Sequence, residues 1–403
     1  MAHSTAPLPA EHLIAMEEEW GAHNYHPLDI VVERAAGAWV YDAEGRKYLD
    51  CLSAYSALNQ GHCHPRILSA LREQAERVTL TSRAFRNDQL PLFCQELAAL
   101  CRMQMVLPMN TGAEAVETAI KAARRWGYTK KGITAEKAEI IVCANNFHGR
   151  TTTIVGFSSE EGYRDGFGPF TPGFVTVPFG DVAALEAAIT PNTAAFLFEP
   201  IQCEAGILIP PAGYLQSVAS LCRKHNVLMM ADEIQTGLGR TGAMFACWRE
   251  DVQPDVFILG KALSGGFYPV SAVVSSREVL GVFSPGTHGS TYGGNPLACA
   301  VARAAVKVVV EEDLARRAVE LGEWMLADLR ARLQHPAIQE IRGCGLLIAI
   351  DLREPARPFC EKLMKLGLLC KETHSHVIRL APPLVISRDD LDWACRQLEE
   401  VFR

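Results

Sequence analysis

Two charged residues stand at the ends of short apolar runs. Residues 227–231 (VLMMA) lead straight into Asp232, and residues 256–259 (VFIL) lead through Gly260 into Lys261. Runs of this length read as strands buried on both faces. Open α/β sheets keep their ligand sites at the carboxyl ends of parallel strands, where both charges would then lie. A lysine beside apolar surface gives up its proton more readily and becomes a nucleophile able to form a Schiff base with a carbonyl. An acid on a neighbouring strand end could hold a heterocyclic nitrogen protonated. Pyridoxal phosphate needs that pairing. Taken alone, each residue has a duller use, since an Asp after a strand commonly caps the next segment and a lysine at a strand end is commonly solvated.

Other residues add to the set. Asn110, Thr111, Gly112 and Ala113 follow the strand candidate 104–108 and open a strongly helical run. Free N–H groups at such a helix start suit a phosphate, although Thr111 has the simpler use of an N-cap. After the candidate strand 139–144, Phe147 could stack on a planar ring and Arg150 could clamp a carboxylate. The candidate strand 194–198 ends at Glu199, with a second acid at Glu204. Ser290 and Thr291 lie in a Gly-rich loop, usable as a phosphate contact or simply as a turn. Two motifs mislead. GLGRTG at 237–242 lacks both an adjoining strand and a following amphipathic helix, so it reads as a loop, and Gly260-Lys261 lacks the rest of a P-loop. HCH at 62–64 and HSH at 374–376 have no second ligand cluster at a metal-binding spacing, so no metal is expected.

The elements needed to place these residues are visible in the periodicity. A short helix is expected within 11–20 and a meander over 30–33, 38–42 and 47–50. From His64 onward helical runs (66–77, 90–101, 113–127) alternate with the strand candidates above and with 174–178 and 270–275, which implies a mostly parallel sheet with helices on both faces. A helix over 296–311 follows, then helix, strand (341–352), helix, strand and helix, a small α+β unit. The expected organisation is an N-terminal segment 1–55 packing with the small unit, a large body 56–310 and a C-terminal unit 311–403. The chain has 403 residues, 49% hydrophobic and 21% charged, with net charge −7, an ordinary globular composition with no basic surface for nucleic acid. Thirteen cysteines without a Cys-x-x-Cys fit reduced thiols. The first 33 residues carry no Lys or Arg, and no uncharged run would span a bilayer, so the cytoplasm is the expected compartment and no membrane is involved.

In their order along the chain these features resemble the class III (fold type I) aminotransferases, with ADEIQTGLGRTG and GKALSGG the most specific segments. The resemblance covers nearly the whole chain. GAHNYHPL, SAYSALNQGHCHP, TLTSRAF, LPMNTGAEA and RLAPPLVI resemble the ornithine aminotransferases within that class. The resemblance implies an α/β fold type I enzyme using pyridoxal 5′-phosphate, with Lys261 as Schiff-base and proton-shuttling residue and Asp232 on the pyridine nitrogen. It further implies Gln235 on the ring oxygen, Phe147 and Ile234 on the ring faces, and Thr111, Gly112, Ala113, Ser290 and Thr291 on the phosphate. Thr291 would come from the partner subunit, making a homodimer with shared active sites. Tyr25, Tyr55, Arg150, Glu204 and Arg379 would bind substrate, with Glu204 masking Arg379 for one partner and releasing it for the other. The implied reaction moves the δ-amino group of L-ornithine to 2-oxoglutarate, giving glutamate 5-semialdehyde and glutamate. Alternatives are an enzyme for acetylornithine, 4-aminobutyrate or another ω-amine, or an inactive binding protein on the same fold. One departure stands out: position 203 is Cys where the resemblance predicts Gly.

Overall fold

The computed structural model describes residues 8–403. An expected helix, Ala10–Trp20, comes first and buries no residue within this chain. The meander follows as strands β1 (Val32–Ala36), β2 (Trp39–Asp42) and β3 (Lys47–Asp50), paired antiparallel. The first strand begins two residues later than expected. Its partner turn is set by Asp42, whose Oδ1 accepts from the amides of Glu44 and Arg46 at 3.1 and 2.8 Å, an Asx-type turn.

The large sheet contains β4 (Met105–Met109), β5 (Glu139–Cys143), β6 (Phe174–Val177), β7 (Thr193–Phe198), β8 (Leu228–Asp232), β9 (Val256–Leu259) and β10 (Ser271–Ser275). Their order is β4-β10-β9-β8-β7-β5-β6, and only β10 runs antiparallel to its neighbours. This is the expected α/β plan. Alternate residues of each strand face opposite layers. Ile140, Val142, Leu197, Met230 and Ile258 pack with Ala115, Ala119 and Ile120 of helix Gly112–Trp126. Ile141, Phe196, Phe198, Met229 and Ala231 pack with Leu215 and Val218 of helix Tyr214–Lys224. With both faces covered, β7 to β10 are buried along their whole length, which explains why their sequences are apolar without alternation.

The C-terminal unit has more strands than expected. The apolar run 341–352 is not one strand but a hairpin of β11 (Ile338–Cys344) and β12 (Leu347–Leu352). Gly345 makes the break: its φ is +59°, and a Cβ there would meet Arg240 O and Thr241 C at 2.6 Å. Only glycine allows that close approach. Then come β13 (Leu368–Leu369), β14 (Lys371–Thr373) and β15 (Val377–Leu380), with sheet order β11-β12-β15-β14. β13 instead leaves this unit and pairs parallel with β3, Leu368 opposite Leu49.

Arg240, in the loop after β8, ties these parts together. It is fully buried and donates to Asn59 Oδ1 (2.6 and 3.2 Å), Leu346 O (2.8 Å) and Pro382 O (2.6 Å). Burial brings its pKa down to about 9, yet these acceptors keep its donors satisfied. The loop reading of GLGRTG is therefore correct, and its arginine is structural. Cys63, His374 and Ser375 lie at positive φ. His62 and His64 pair with Asp50 and Glu312, and His374 with Glu160, so these histidines serve loops.

Candidate active site

A cavity of about 210 Å³ opens at the carboxyl ends of β8 and β9, with Asp232 and Lys261 both on its wall. After β9 the chain passes through extended Gly260 into a short 3₁₀ turn, Lys261–Ser264, with Lys261 itself at φ 43°. Left-handed backbone at a residue with a side chain is unfavourable and marks constrained sites. Burial pushes the Lys261 ammonium below the ordinary lysine range, against the opposing pull of Glu204, Cys203 and Asp232.

Asp232 is buried at 5% exposure. Its Oδ1 accepts from the Ile234 amide (3.1 Å), the local turn its position suggested, while Oδ2 faces His148 Nδ1 at 2.6 Å. His148 was not among the sequence candidates. It follows Phe147 in the loop beyond β5, two strands away from β8 in the sheet, and the signal available was a histidine just past the end of a parallel strand. His148 fixes the carboxylate's orientation, and its Nε2 is buried without a partner. Glu199, at the end of β7, accepts from the Phe147 amide at 3.0 Å. Burial, reinforced by the Asp232 charge, pushes its carboxyl well above the usual range.

On the opposite wall, helix Gly112–Trp126 begins with a capping box. Thr111 Oγ1 accepts from the Glu114 amide at 3.2 Å and Glu114 Oε2 accepts from the Thr111 amide at 2.8 Å. Thr111 is thus the N-cap, its hydroxyl engaged in the helix. The Gly112 and Ala113 amides, in the first turn, have no acceptor within the helix and face the cavity with the positive end of the helix dipole. Space there is tight, since a Cβ on Gly112 would lie 3.0 Å from Ile234 Cδ1. Phe147 and Ile234 both line the cavity.

At the far end, Glu204 Oε1 accepts from Arg379 Nη1 at 2.5 Å and from Gln235 Nε2 at 3.1 Å. Burial alone would raise the Glu204 carboxyl, but Arg379, Lys261 and the two hydrogen bonds outweigh it and hold it below the usual range. Arg379, on β15, is 1% exposed, and Tyr55 lies with its ring centroid 4.9 Å from the guanidinium carbon. Gln235 therefore touches both halves of the site, and its Oε1 is buried without a partner.

Tyr55 sits in an unusual segment. Ser53, Ala54, Tyr55 and Ser56 have φ of 50°, 47°, 60° and 67°. The Ser56 and Ala57 amides bond back to Leu52 O (3.3 Å) and Ser53 O (2.9 Å), so this is one turn of left-handed helix without a glycine. Such a turn costs about 1–2 kcal/mol per residue.

Of the predicted residues, Thr111, Tyr55, Glu204 and Arg379 lie beyond the wall of the 210 Å³ cavity, and so do four more. Tyr25 is 69% exposed. Exposed Arg150 stacks its guanidinium on Tyr163, 3.7 Å from the ring centroid, a partner the sequence did not suggest. Ser290 accepts from Asn110 Nδ2 (3.0 Å) and the Gly293 amide (2.9 Å) beside the helix start, and Thr291 is exposed next to it. Cys203 is buried on the cavity wall, within an apolar cluster with Ile201, Ile207 and Val377.

The arrangement agrees with what the chain is similar to. The model of the aminotransferase class-III family matches residues 20–402. The chain belongs to the class-III aminotransferases. Among relatives, an ornithine aminotransferase of Geobacillus sp. (strain WCH70) is 60% identical over 390 residues, covering 97% of this chain and 98% of that one. A structure of the Toxoplasma gondii ornithine aminotransferase, described as having partial occupancy of PLP at its active site, superposes with a TM-score of 0.97 at 46% identity, covering 98% and 94% of the two chains. An acetylornithine aminotransferase from Elizabethkingia anophelis superposes at 0.90 with 48% identity, covering 98% and 99%. As a class-III aminotransferase the chain uses pyridoxal phosphate, and its residues fit that group. Two partnerless buried atoms, Gln235 Oε1 and His148 Nε2, stand around a cavity that also presents a lysine, an aspartate and a helix start. No helix among the described residues is long and apolar enough to cross a membrane.

Proposed function

We propose that this chain transfers the δ-amino group of L-ornithine to 2-oxoglutarate, releasing glutamate 5-semialdehyde and glutamate. Bound pyridoxal phosphate supplies the carbonyl for amine capture and the electron sink that lets a proton leave the amine-bearing carbon. Lys261 Nζ, with its basicity lowered by burial, would be the residue that holds the cofactor through that carbonyl and would carry the proton from the substrate carbon. Asp232, oriented by His148, keeps the ring nitrogen protonated. Gly112 and Ala113 amides would hold the phosphate, with Thr291 reaching the partner's site in a homodimer. Phe147 and Ile234 hold the ring, and Gln235 its oxygen.

The observation that carries the substrate reading is the triple contact of Glu204, Arg379 and Tyr55. Ornithine presents a terminal amine, with no carboxylate beside it. Glutamate presents an α-amine with a carboxylate directly adjacent. One position must therefore be neutral for the first and cationic for the second. Glu204 masks Arg379 while ornithine reacts and swings away from it when the dicarboxylate arrives. Leaving Arg379 buried without either partner would cost about 3–5 kcal/mol, which the incoming carboxylate avoids. Tyr55, with Tyr25 and Arg150, would bind the far amino-acid end of ornithine. A relative acting on acetylornithine is the second reading, favoured by the Elizabethkingia likeness. The deciding experiment offers ornithine, acetylornithine and 4-aminobutyrate with 2-oxoglutarate and traps the cyclised semialdehyde. Turnover preferring acetylornithine would overturn the ornithine assignment.

A further inference from the structure

The left-handed turn Ser53–Ser56 calls for an explanation, because nothing in its length requires it. A simple reversal would use glycine, and residues 51–60 contain none. L-residues enter the left-handed region only within a small window of φ and ψ, and the φ values of Ser53 to Ser56 lie within or near it. For Ala54 and Tyr55 ψ is 50° and 45°, again within it. A turn built this way has a stiff, narrow geometry, provided that other bonds hold it there.

Those bonds are present. Asp50 Oδ1 accepts from the Leu52 and Ser53 amides, both at 2.8 Å, and Asp50 Oδ2 is fixed by His62 Nε2 at 2.8 Å. Ser53 Oγ donates to Ala381 O at 2.7 Å, and the Ala381 amide returns a bond to Cys51 O at 2.6 Å. Ala381 stands two residues beyond Arg379 on the same chain segment. The brace therefore runs from the turn that carries Tyr55 to the segment that carries Arg379, the two groups whose ring and guanidinium face each other at 4.9 Å. Ser53 and Ser56 are buried, while Ala54 is exposed, so only the backbone of Ala54 takes part.

We propose that the left-handed turn is a positioning device for substrate choice, in which Ser53, bridging to Ala381, holds an unfavourable backbone so that Tyr55 is delivered to Arg379. The proposal deepens the ornithine reading and rests on Tyr55 meeting the substrate. Ser53 touches neither substrate nor cofactor and acts through Tyr55. Loss of its hydroxyl releases the turn towards ordinary right-handed backbone and draws Tyr55 away from the guanidinium, leaving the strand ends with Asp232 and Lys261 in place. Binding of ornithine should suffer, and the chemical step should not.

The test uses the holoenzyme. Ser53→Ala is expected to raise KM for ornithine by up to about tenfold, the worth of one hydrogen bond. Both kcat and KM for 2-oxoglutarate should stay near the parent values, and the preference for ornithine over 4-aminobutyrate should fall by the same factor. Amide hydrogen exchange over residues 52–58 should quicken. Ala54→Gly in the Ser53→Ala background should restore both KM and exchange, because glycine takes left-handed backbone without strain. A merely structural serine would not be rescued by a glycine at an exposed neighbour. The proposal is overturned if Ser53→Ala raises both substrates' KM alike, leaves the preference unchanged, or is not rescued. Tyr55→Ile separates the two layers. If it lowers the preference while Ser53→Ala does not, only the positioning role falls; if it leaves the preference unchanged, the substrate role of Tyr55 falls and takes the proposal with it.

Discussion

Asp232 and Lys261 hang from adjacent parallel strands whose side chains are buried on both faces, so their relative position is set by a sheet ladder that cannot shift without breaking the core. Glu204, Arg379 and Tyr55 have no such frame. Glu204 and Arg379 meet across 175 residues of sequence, from a loop and from the C-terminal sheet, and Tyr55 arrives on a strained turn. The chemical half of the site is rigid by architecture. The substrate half is held by a few replaceable polar contacts. A shared catalytic step with adjustable specificity follows from that division, and each prediction below tests one side of it.

The largest effect is expected on the rigid side. Lys261→Ala should lower single-turnover amine transfer by at least about 10⁴-fold, since no other side chain there combines nucleophile and proton carrier, while far-UV circular dichroism stays unchanged. Asp232→Asn should slow exchange of the substrate's labile carbon proton, followed by mass spectrometry in deuterated buffer, by about 10²-fold or more, because the ring nitrogen loses its counter-charge. A change below threefold in that measurement would reduce Asp232 to the local turn it also makes. On the adjustable side the effects should be smaller and selective. Glu204→Ala exposes Arg379 permanently, so stopped-flow traces should show the glutamate half-reaction tighter by about tenfold and ornithine reacting partly through its α-amine. Equal slowing of both halves would break the comparison. Tyr55→Ile should shift the ratio of kcat/KM values for ornithine and 4-aminobutyrate by about tenfold, as loss of a polar contact to the amino-acid end predicts. Smallest of all, Thr111→Ala should cost about 1 kcal/mol in urea unfolding through loss of the cap, with cofactor affinity little altered because the holding groups we propose are the Gly112 and Ala113 amides.

The same division governs what was legible in the sequence. Asp232, Lys261 and the Gly112 helix start could be found because each sits where an apolar run stops, a local pattern with a local cause. The order of strands and helices was readable for the same reason. His148 escaped because its role exists only once the loop after β5 lies over the end of β8. The hairpin at Gly345 escaped because both of its strands are buried and apolar, leaving one glycine in a continuous run. The left-handed turn has no sequence signature at all: Ser, Ala and Tyr do not favour that backbone, and it is imposed by Asp50 and Ala381. Tyr25, proposed from the resemblance, and Arg150, Ser290 and Thr291, proposed from their loops as well, lie outside the cavity wall of this chain.

The pairing of β3 with β13 bears on how the chain is made. Leu49 is completely buried, and Leu368, its opposite number, is supplied from near the other end of the sequence. A nascent chain leaving the ribosome can form the β1–β3 meander early, but the outer edge of β3 stays unpaired until β13 has been made. Closing so long a loop is slow, and open strand edges invite pairing with other chains in the interval. The body around the large sheet can condense earlier, so the last-made strands seal both the first-made ones and, through Ala381 and Pro382, the substrate end of the site. Ornithine selection should therefore be the final property acquired on refolding, after the lysine pocket has formed.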